Sequence, residues 1–231
     1  MNATTIPKKQ AFNGEKKHLI HFLAGPEQQF LKAVLPLVPL QINTAQLTLM
    51  TIGWSIGIVL AGYLAKEDIR WLWLFNGFIL MQYITDMLDG EVGRTRDSGL
   101  IKWGFYMDHF LDYIFLCSII MGYSFLLPAS YFLGALLCLT FTVGFMVHTF
   151  MDFSITNNFK ISCNFFGVSE MRWVLILFNT LLVFLGKGLL ITVFPFFVMV
   201  TFIGLCSLVY VSQKTYRHID TLQQAQRDGV H

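Results

Sequence analysis

Four aspartates in one short stretch of the chain have the spacing of a metal site. Asp86 and Asp89 are three residues apart, and Asp108 and Asp112 are four apart. At about 100° per residue, each pair lies on one face of a helix. Two such helices in contact would bring four carboxylates together, and carboxylate oxygen is the ligand that Mg²⁺ and Mn²⁺ prefer. The pattern therefore predicts a site for a hard divalent cation.

These aspartates stand in apolar surroundings, where carboxylates are costly. One Asp at the centre of a membrane helix costs about 2.5–3.5 kcal/mol, so four unpaired ones would cost on the order of 10 kcal/mol. The apolar runs of the chain contain no Lys or Arg that could neutralise them, and the nearest cations are Arg94, Arg96 and Lys102 in the adjoining loop. A function that needs the charge is the simplest reason for keeping it.

Glycines and one arginine share the faces that carry the aspartates. Gly90, Gly93 and Arg94 lie on the face of Asp86, and Gly104 lies on the face of the second pair. A helical Gly costs about 1 kcal/mol relative to Ala, so these glycines need a reason. Tight helix packing is one, and room for a bulky ligand is the other. The forked cation of Arg94 suits phosphate, so the residues together favour a substrate that carries a diphosphate.

The complete motif resembles the signature of the CDP-alcohol phosphotransferase family. It reads Asp86-x2-Asp89-Gly90-x2-Gly93-Arg94-x9-Gly104-x3-Asp108-x3-Asp112. The one departure is Gly93, where the family usually has Ala, and both residues are small. The resemblance implies a cytidine diphosphate donor, two divalent ions (Mg²⁺ or Mn²⁺) and a homodimer. In this chemistry an alcohol hydroxyl attacks the phosphorus that carries the donor's lipid or alcohol group, and CMP leaves.

The same resemblance assigns roles to individual residues. Asp86, Asp89 and Asp108 would bind metal, and Asp112 would bind metal or act as the general base. Residues on the CDP side would be Asp86, Gly90, Gly93 and Arg94, with Gly104 giving room for the cytidine. Metal ions would neutralise the diphosphate while a carboxylate takes the hydroxyl proton.

The resemblance leaves the donor open between two branches of the family. One uses CDP-diacylglycerol and a small polar alcohol, and we expect this chain to belong to it. The alternative uses CDP-choline or CDP-ethanolamine with diacylglycerol as the acceptor. Met107-Asp108-His109 and residues 166–170 are similar to short segments of that second branch.

Several polar residues outside the motif are candidates for binding the acceptor. They are His148, Asp152, Lys160, Glu170 and Arg172. His148 and Asp152 are four residues apart at a predicted helix end, where a pair reaching toward water is the simpler interpretation. Lys160, Glu170 and Arg172 belong to a polar segment on the side of the motif, and a polar loop needs no special explanation.

The composition of the chain sets the fold class that must position these residues. Of 231 residues, 55% are hydrophobic and 13% are charged, about half the charge of a soluble domain. Six apolar runs approach the length of a membrane helix, and they are 45–65, 71–88, 105–126, 131–151, 173–185 and 189–211. We expect an all-α polytopic membrane protein with six spans in residues 41–212. An amphipathic interfacial helix at 26–38 would lie in the N-terminal segment 1–40, and residues 213–231 would form a polar tail.

The distribution of Lys and Arg predicts the orientation. With six spans, all but three of the 16 Lys and Arg residues lie on the side of both termini, and the exceptions are Lys66, Arg70 and Lys187. The positive-inside rule then puts both termini and the aspartate motif in the cytoplasm of a bacterial inner membrane or its equivalent. The net charge of +2 does not favour a nucleic-acid partner. A cation channel or transporter is the alternative of a different class, but Arg94 would repel a permeating cation.

Overall fold

A computed structural model describes residues 24–96, 100–156 and 168–228. This part of the chain is helical and contains no strand, as the apolar runs predict. Its helices are α1 (Ala24–Val34), α2 (Thr44–Ala65), α3 (Leu72–Thr95), α4 (Ile101–Ser124), α5 (Phe132–Thr156), α6 (Val168–Leu185) and α7 (Lys187–Asp228). Three short 3₁₀ helices, Leu35–Leu37, Ile69–Trp71 and Ala129–Tyr131, lie between them.

Four of the helical segments are long and apolar enough to cross a membrane. They are Thr44–Ala65, Ile101–Ser124, Ala129–Thr156 and Lys187–Ala225. The second predicted span lies in α3, whose polar residues Gln82, Asp86 and Asp89 lower its hydropathy, and the fifth lies in the shorter α6. The chain is therefore an all-helical protein with four candidate spans, and the six-span arrangement stays a prediction.

Helix α2 lies at the centre of the packing and runs against both helices of the motif. It is antiparallel to α3, since Thr48 contacts Asp89 while Trp54 contacts Thr85. It approaches α4 closely at Gly62, where an added Cβ would lie 2.5 Å from the Cα of Gly122. Small residues allow this backbone contact. The largest buried cluster of side chains fills the space among α2, α3, α4, α6 and α7.

A buried polar network fixes α6 against α3 and α4. The Asn179 amide donates to Asn76 Oδ1 at 2.8 Å, and the Tyr123 hydroxyl donates to Asn179 Oδ1 at 2.7 Å. Asn76 in turn donates to the carbonyl of Ile176 at 3.3 Å. Polar groups buried this deeply need such partners, so the network specifies the position of α6.

The N-terminal helix packs on the end of α2 and α3 that carries the motif. The predicted helix at 26–38 is observed as α1 followed by the 3₁₀ helix, with Pro36 in the latter. Leu31 and Val34 contact a small cluster formed by Leu47, Leu88 and Val92. Whether α1 also lies in a membrane interface stays a prediction.

Helices α5 and α7 form a parallel pair beside this core. Phe141 contacts Phe202, and His148 lies 3.4 Å from the Ser212 hydroxyl further along. Helix α7 contains Pro195 and continues past Val211, the predicted end of the last span, to Asp228. Its 42 residues correspond to about 63 Å at the usual rise, roughly twice the hydrocarbon thickness of a bilayer. The predicted tail is thus helical over most of its length.

Candidate metal and substrate site

Three of the four motif carboxylates converge between α3 and α4. One oxygen from each of Asp86, Asp108 and Asp112 lies within 4.8 Å of the other two. All three side chains are half-buried. The antiparallel course of the two helices produces this meeting, because Asp86 near the end of α3 faces the first turns of α4. A group of three carboxylates at this separation fits a hard divalent cation by its donor chemistry.

Asp89 lies one turn further along α3, on the side of α2. Its side chain accepts a hydrogen bond from the Thr48 hydroxyl at 2.9 Å, and only 7% of the residue is exposed. Thr48 also contacts the carbonyl of Thr44, so its position is fixed by its own helix. The described metal-ligand group does not include Asp89, and its role as a ligand stays a prediction.

A buried arginine from α6 supplies the positive charge beside the carboxylates. Arg172 Nη1 donates to Asp86 Oδ2 at 2.9 Å, and Nη2 lies 3.8 Å from Asp112 Oδ1. Its side chain is only 7% exposed. The guanidinium carbon also lies 5.4 Å from the centre of the Tyr83 ring, at cation–π distance. The sequence pointed to Arg94, Arg96 and Lys102 as the nearest cations, whereas the ion pair comes from a residue 86 positions away.

Gln82 adds a second support for Asp112. Its amide Nε2 donates to Asp112 Oδ1 at 3.3 Å, and the residue is almost fully buried. Gln82 lies one turn before Asp86 on α3, so the two share a face. Sequence reasoning missed this residue, although a Gln inside an apolar run at four residues from an aspartate is a detectable signal. Thr48 and Tyr83 gave no such signal.

The glycines of the motif differ from the glycines that pack helices together. A Cβ added at Gly104 would meet nothing within 4 Å, and one at Gly90 would meet only the Arg94 guanidinium, at 3.6 Å. At Gly62, by contrast, the Cβ would collide with the backbone of α4. Packing therefore explains Gly62, but it does not explain Gly90 and Gly104. Gly93 is half-buried on α3.

Arg94 lies at the exposed end of the site. It pairs with Glu91, one turn back on α3, at 2.7 Å, and its side chain is 63% exposed. This surface ion pair contributes little to stability and is easily exchanged for another anion. Arg96 does not pair with an acidic residue in the described contacts. Its guanidinium donates to the carbonyls of Val38 at 2.8 Å and Ile42 at 2.5 Å. Arg96 thereby ties the chain before α2 to the end of α3.

The candidate acceptor residues occupy two places. His148 and Asp152 of α5 face α7, where their described hydrogen-bond partners are Ser212 and the hydroxyl of Tyr216. Arg172 and the half-buried Glu170 stand at the start of α6, and Arg172 reaches the carboxylates. Lys160 lies outside the described residues. The structure thus brings Arg172, but not the α5 pair, into contact with the motif.

An apolar groove of about 430 Å³ lies between α4 and α5. It is lined by Phe105, Tyr106, His109, Phe110, Tyr113, Val143, Met146, Val147 and Phe150. His109 is adjacent to Asp108 in sequence, and its Nδ1 lies 2.7 Å from the Phe105 carbonyl. The groove and the carboxylates therefore use neighbouring faces of α4.

Comparison with known proteins identifies a family. The family model for CDP-alcohol phosphatidyltransferase matches residues 42–211, which is more than half of the chain and includes the whole motif. No curated protein and no solved structure matches the chain.

Proposed function

The chain belongs to the CDP-alcohol phosphatidyltransferase family, and we propose that it transfers a phosphatidyl group from CDP-diacylglycerol to an alcohol. The family makes it an integral-membrane phosphotransferase of phospholipid synthesis, which acts on a CDP-alcohol and an alcohol acceptor. The convergence of the Asp86, Asp108 and Asp112 oxygens within 4.8 Å carries the proposal. A channel or transporter, the alternative of another class, does not agree with membership of an enzyme family.

In the proposed reaction the acceptor hydroxyl oxygen attacks the phosphorus that carries the diacylglycerol group. The bond from this phosphorus to the bridging oxygen breaks, and CMP leaves with that oxygen. The hydroxyl proton passes to a carboxylate. The products are a phosphodiester lipid and CMP, so no oxidant or further reactant is needed.

The aspartates would hold two divalent ions, Mg²⁺ or Mn²⁺. We assign Asp86, Asp89 and Asp108 as ligands, with Asp112 as a further ligand or the base. When bound, such ions neutralise the diphosphate and the leaving CMP. The three converging carboxylates fit this role, because carboxylates in apolar surroundings are costly unless a cation neutralises them.

Asp112 is the better candidate for the general base. It lies one turn beyond Asp108 on α4, and it is therefore further from the start of α4. The start of α4 follows the end of α3 that carries the exposed Arg94. Gln82 and Arg172 both approach its Oδ1, and these contacts orient the carboxylate. A base with a fixed orientation can receive the hydroxyl proton without rearrangement.

The CDP moiety would occupy the exposed side of the cluster. Gly90, Gly93 and Arg94, together with Asp86, would contact the phosphates, and Gly104 would leave room for cytidine. The open space at Gly104 supports this assignment, since helix packing does not require a glycine there. Arg94 would exchange its pairing with Glu91 for the phosphates.

The groove between α4 and α5 supports a lipid substrate. Its lining is almost wholly apolar and includes His109, the residue that follows Asp108. An acyl chain could lie there while the head group reaches the carboxylates. Both donor branches use a lipid with acyl chains, so the groove does not distinguish CDP-diacylglycerol from the alternative, a CDP-choline or CDP-ethanolamine donor with diacylglycerol.

We propose further that the site and both termini face the cytoplasm and that the enzyme is a homodimer. The excess of Lys and Arg at the motif end of the helices supports this orientation. The dimer is proposed by resemblance to the family. Among the acceptor candidates, Glu170 and Arg172 lie near the cluster, whereas His148 and Asp152 would need a substrate that extends toward α7.

A CMP-release assay tests the proposed function. Purified enzyme with Mg²⁺ would receive CDP-diacylglycerol and a panel of polar alcohols, or CDP-choline or CDP-ethanolamine and diacylglycerol. We expect CMP release with CDP-diacylglycerol and at least one polar alcohol, and its loss in Asp108→Asn. An exposed carboxylate at the opposite helix ends provides the matched control, Glu67→Gln, which should keep full activity. Turnover only with CDP-choline or CDP-ethanolamine would assign the second branch, and no turnover with any donor would refute the proposal.

A further inference from the structure

A buried arginine lies beside two of the three carboxylates of the cluster. Arg172 contacts Asp86 with one guanidinium nitrogen and approaches Asp112 with the other, so it joins α3 and α4 through α6. The side chain is 7% exposed, and water screens a buried pair far less than a surface pair. The charges of this pair are therefore screened less than those of the exposed Arg94–Glu91 pair.

The position of the guanidinium is fixed on its other side as well. The Tyr83 ring lies at cation–π distance from it. The Tyr83 hydroxyl donates to Glu27 of α1 at 2.5 Å, which holds the ring in place. Arg172 thus occupies a prepared position and is not a flexible surface cation that happens to reach an acid.

Arg172 and a divalent ion would use the same carboxylates. The carboxylates that could bind an ion are Asp86, Asp108 and Asp112, and Arg172 already uses an oxygen of Asp86 and lies near one of Asp112. A positive charge beside a metal ion repels it and lowers its affinity. Without either cation, three carboxylates within 4.8 Å would repel one another.

We infer that Arg172 is a positioning residue that acts as the internal counter-ion of the metal-free site. It holds Asp86 and Asp112 together until divalent ions bind, and it weakens the binding of those ions. This inference rests on the proposed metal site. It assigns to Arg172 a role toward the carboxylates that is separate from any contact with the acceptor.

The inference predicts opposite effects on two measured quantities. In Arg172→Gln the metal-free protein should unfold at a lower temperature, because the repulsion between carboxylates is no longer compensated. The same variant should bind Mn²⁺ at least about tenfold more tightly, because a unit charge next to the ion is gone. A residue with a merely structural role would lower stability without tightening metal binding.

The experiment is a calorimetric titration of the detergent-purified full chain with Mn²⁺. Thermal unfolding of the same protein is measured with and without Mn²⁺. Arg172→Lys keeps the charge and should bind Mn²⁺ within about threefold of the unchanged chain. Arg70→Gln removes an exposed arginine that pairs with Asp68. It lies in the 3₁₀ helix before α3, whose first residue is about 21 Å from Asp86 along the helix, and the substitution should leave Mn²⁺ affinity unchanged.

The Mn²⁺ affinity and the folding of the two Arg172 variants decide whether Arg172 acts as a counter-ion. Equal or weaker Mn²⁺ binding by Arg172→Gln would overturn the inference, while absence of Mn²⁺ binding by the unchanged chain would overturn the proposed metal site itself. If Arg172→Gln folds only when Mn²⁺ is present and unfolds on chelation, the counter-ion role is supported. If it stays unfolded at saturating Mn²⁺ while Arg172→Lys folds and binds Mn²⁺ tenfold more tightly, charge compensation is refuted.

Discussion

Substitution of Gly104 separates a ligand slot from a packing contact. Gly104 is in the first turn of α4, one turn before Asp108, and a Cβ there would meet no atom within 4 Å. We therefore expect Gly104→Leu to fold. Leu is a better helix former than Gly by about 0.8 kcal/mol, so the temperature of unfolding should stay the same or rise slightly.

The affinity for the donor should fall, although the temperature of unfolding does not. If cytidine occupies the open space, the Leu side chain must compete with it. Overpacking of a fitted site costs about 1–3 kcal/mol, which corresponds to an increase of about 5- to 150-fold in the donor Kd. Lower stability together with weaker binding would instead indicate a packing defect.

The assay is calorimetric titration of detergent-purified protein with a soluble CDP-alcohol in the presence of Mn²⁺, with thermal unfolding of the same samples. Gly53→Leu is the matched control, because Gly53 is exposed on α2 and its Cβ would also meet nothing within 4 Å. This variant should bind the donor normally. A folded Gly104→Leu protein whose donor Kd stays within about twofold would refute the slot.

Three further predictions concern the general base, the contact between α2 and α4, and the orientation in the membrane. Asp112→Asn should lower kcat by at least about 10²-fold with little change in donor affinity, and recovery of rate at high Mg²⁺ in a titration of CMP release would show a ligand instead of a base. Gly62→Ala should lower the unfolding free energy by about 1–3 kcal/mol in thermal unfolding, because its Cβ would lie 2.5 Å from the Gly122 Cα; unchanged stability would contradict the close helix contact. With the native cysteines removed, Thr95→Cys should react with an impermeant thiol reagent only in inverted vesicles and Glu67→Cys only in intact cells, and the reverse pattern would invert the orientation.

Much of the site could be predicted because its main elements are local in sequence. The spacing of Asp86, Asp108 and Asp112 predicts two helix faces, and a short connection makes those faces meet. The structure confirms that these three carboxylates converge. The apolar runs likewise predict the observed helices, since burial in a membrane requires each backbone group to bond within its own helix.

The contacts from distant helices could not be predicted from spacing. Thr48 reaches Asp89 across 41 positions, and Arg172 reaches Asp86 across 86. Both depend on which helices pack together, and hydrophobic periodicity does not determine that choice. The helix that contains the last predicted span continues past Val211 to Asp228, because polar residues can continue a helix in water beyond the membrane.

Helix α6 links the packing of the core to the charge of the site. Asn179 and Arg172 are seven residues apart, which is two turns, so they lie on one face. Asn179 is fixed by Asn76 and Tyr123, and a shift of α6 by one residue would break these bonds and move the guanidinium away from Asp86. The buried amide network therefore sets the position of a cation that contacts the carboxylates. Stability of the core and electrostatics of the site thus depend on the same helix face, and a variant at Asn179 should alter metal binding without touching a carboxylate.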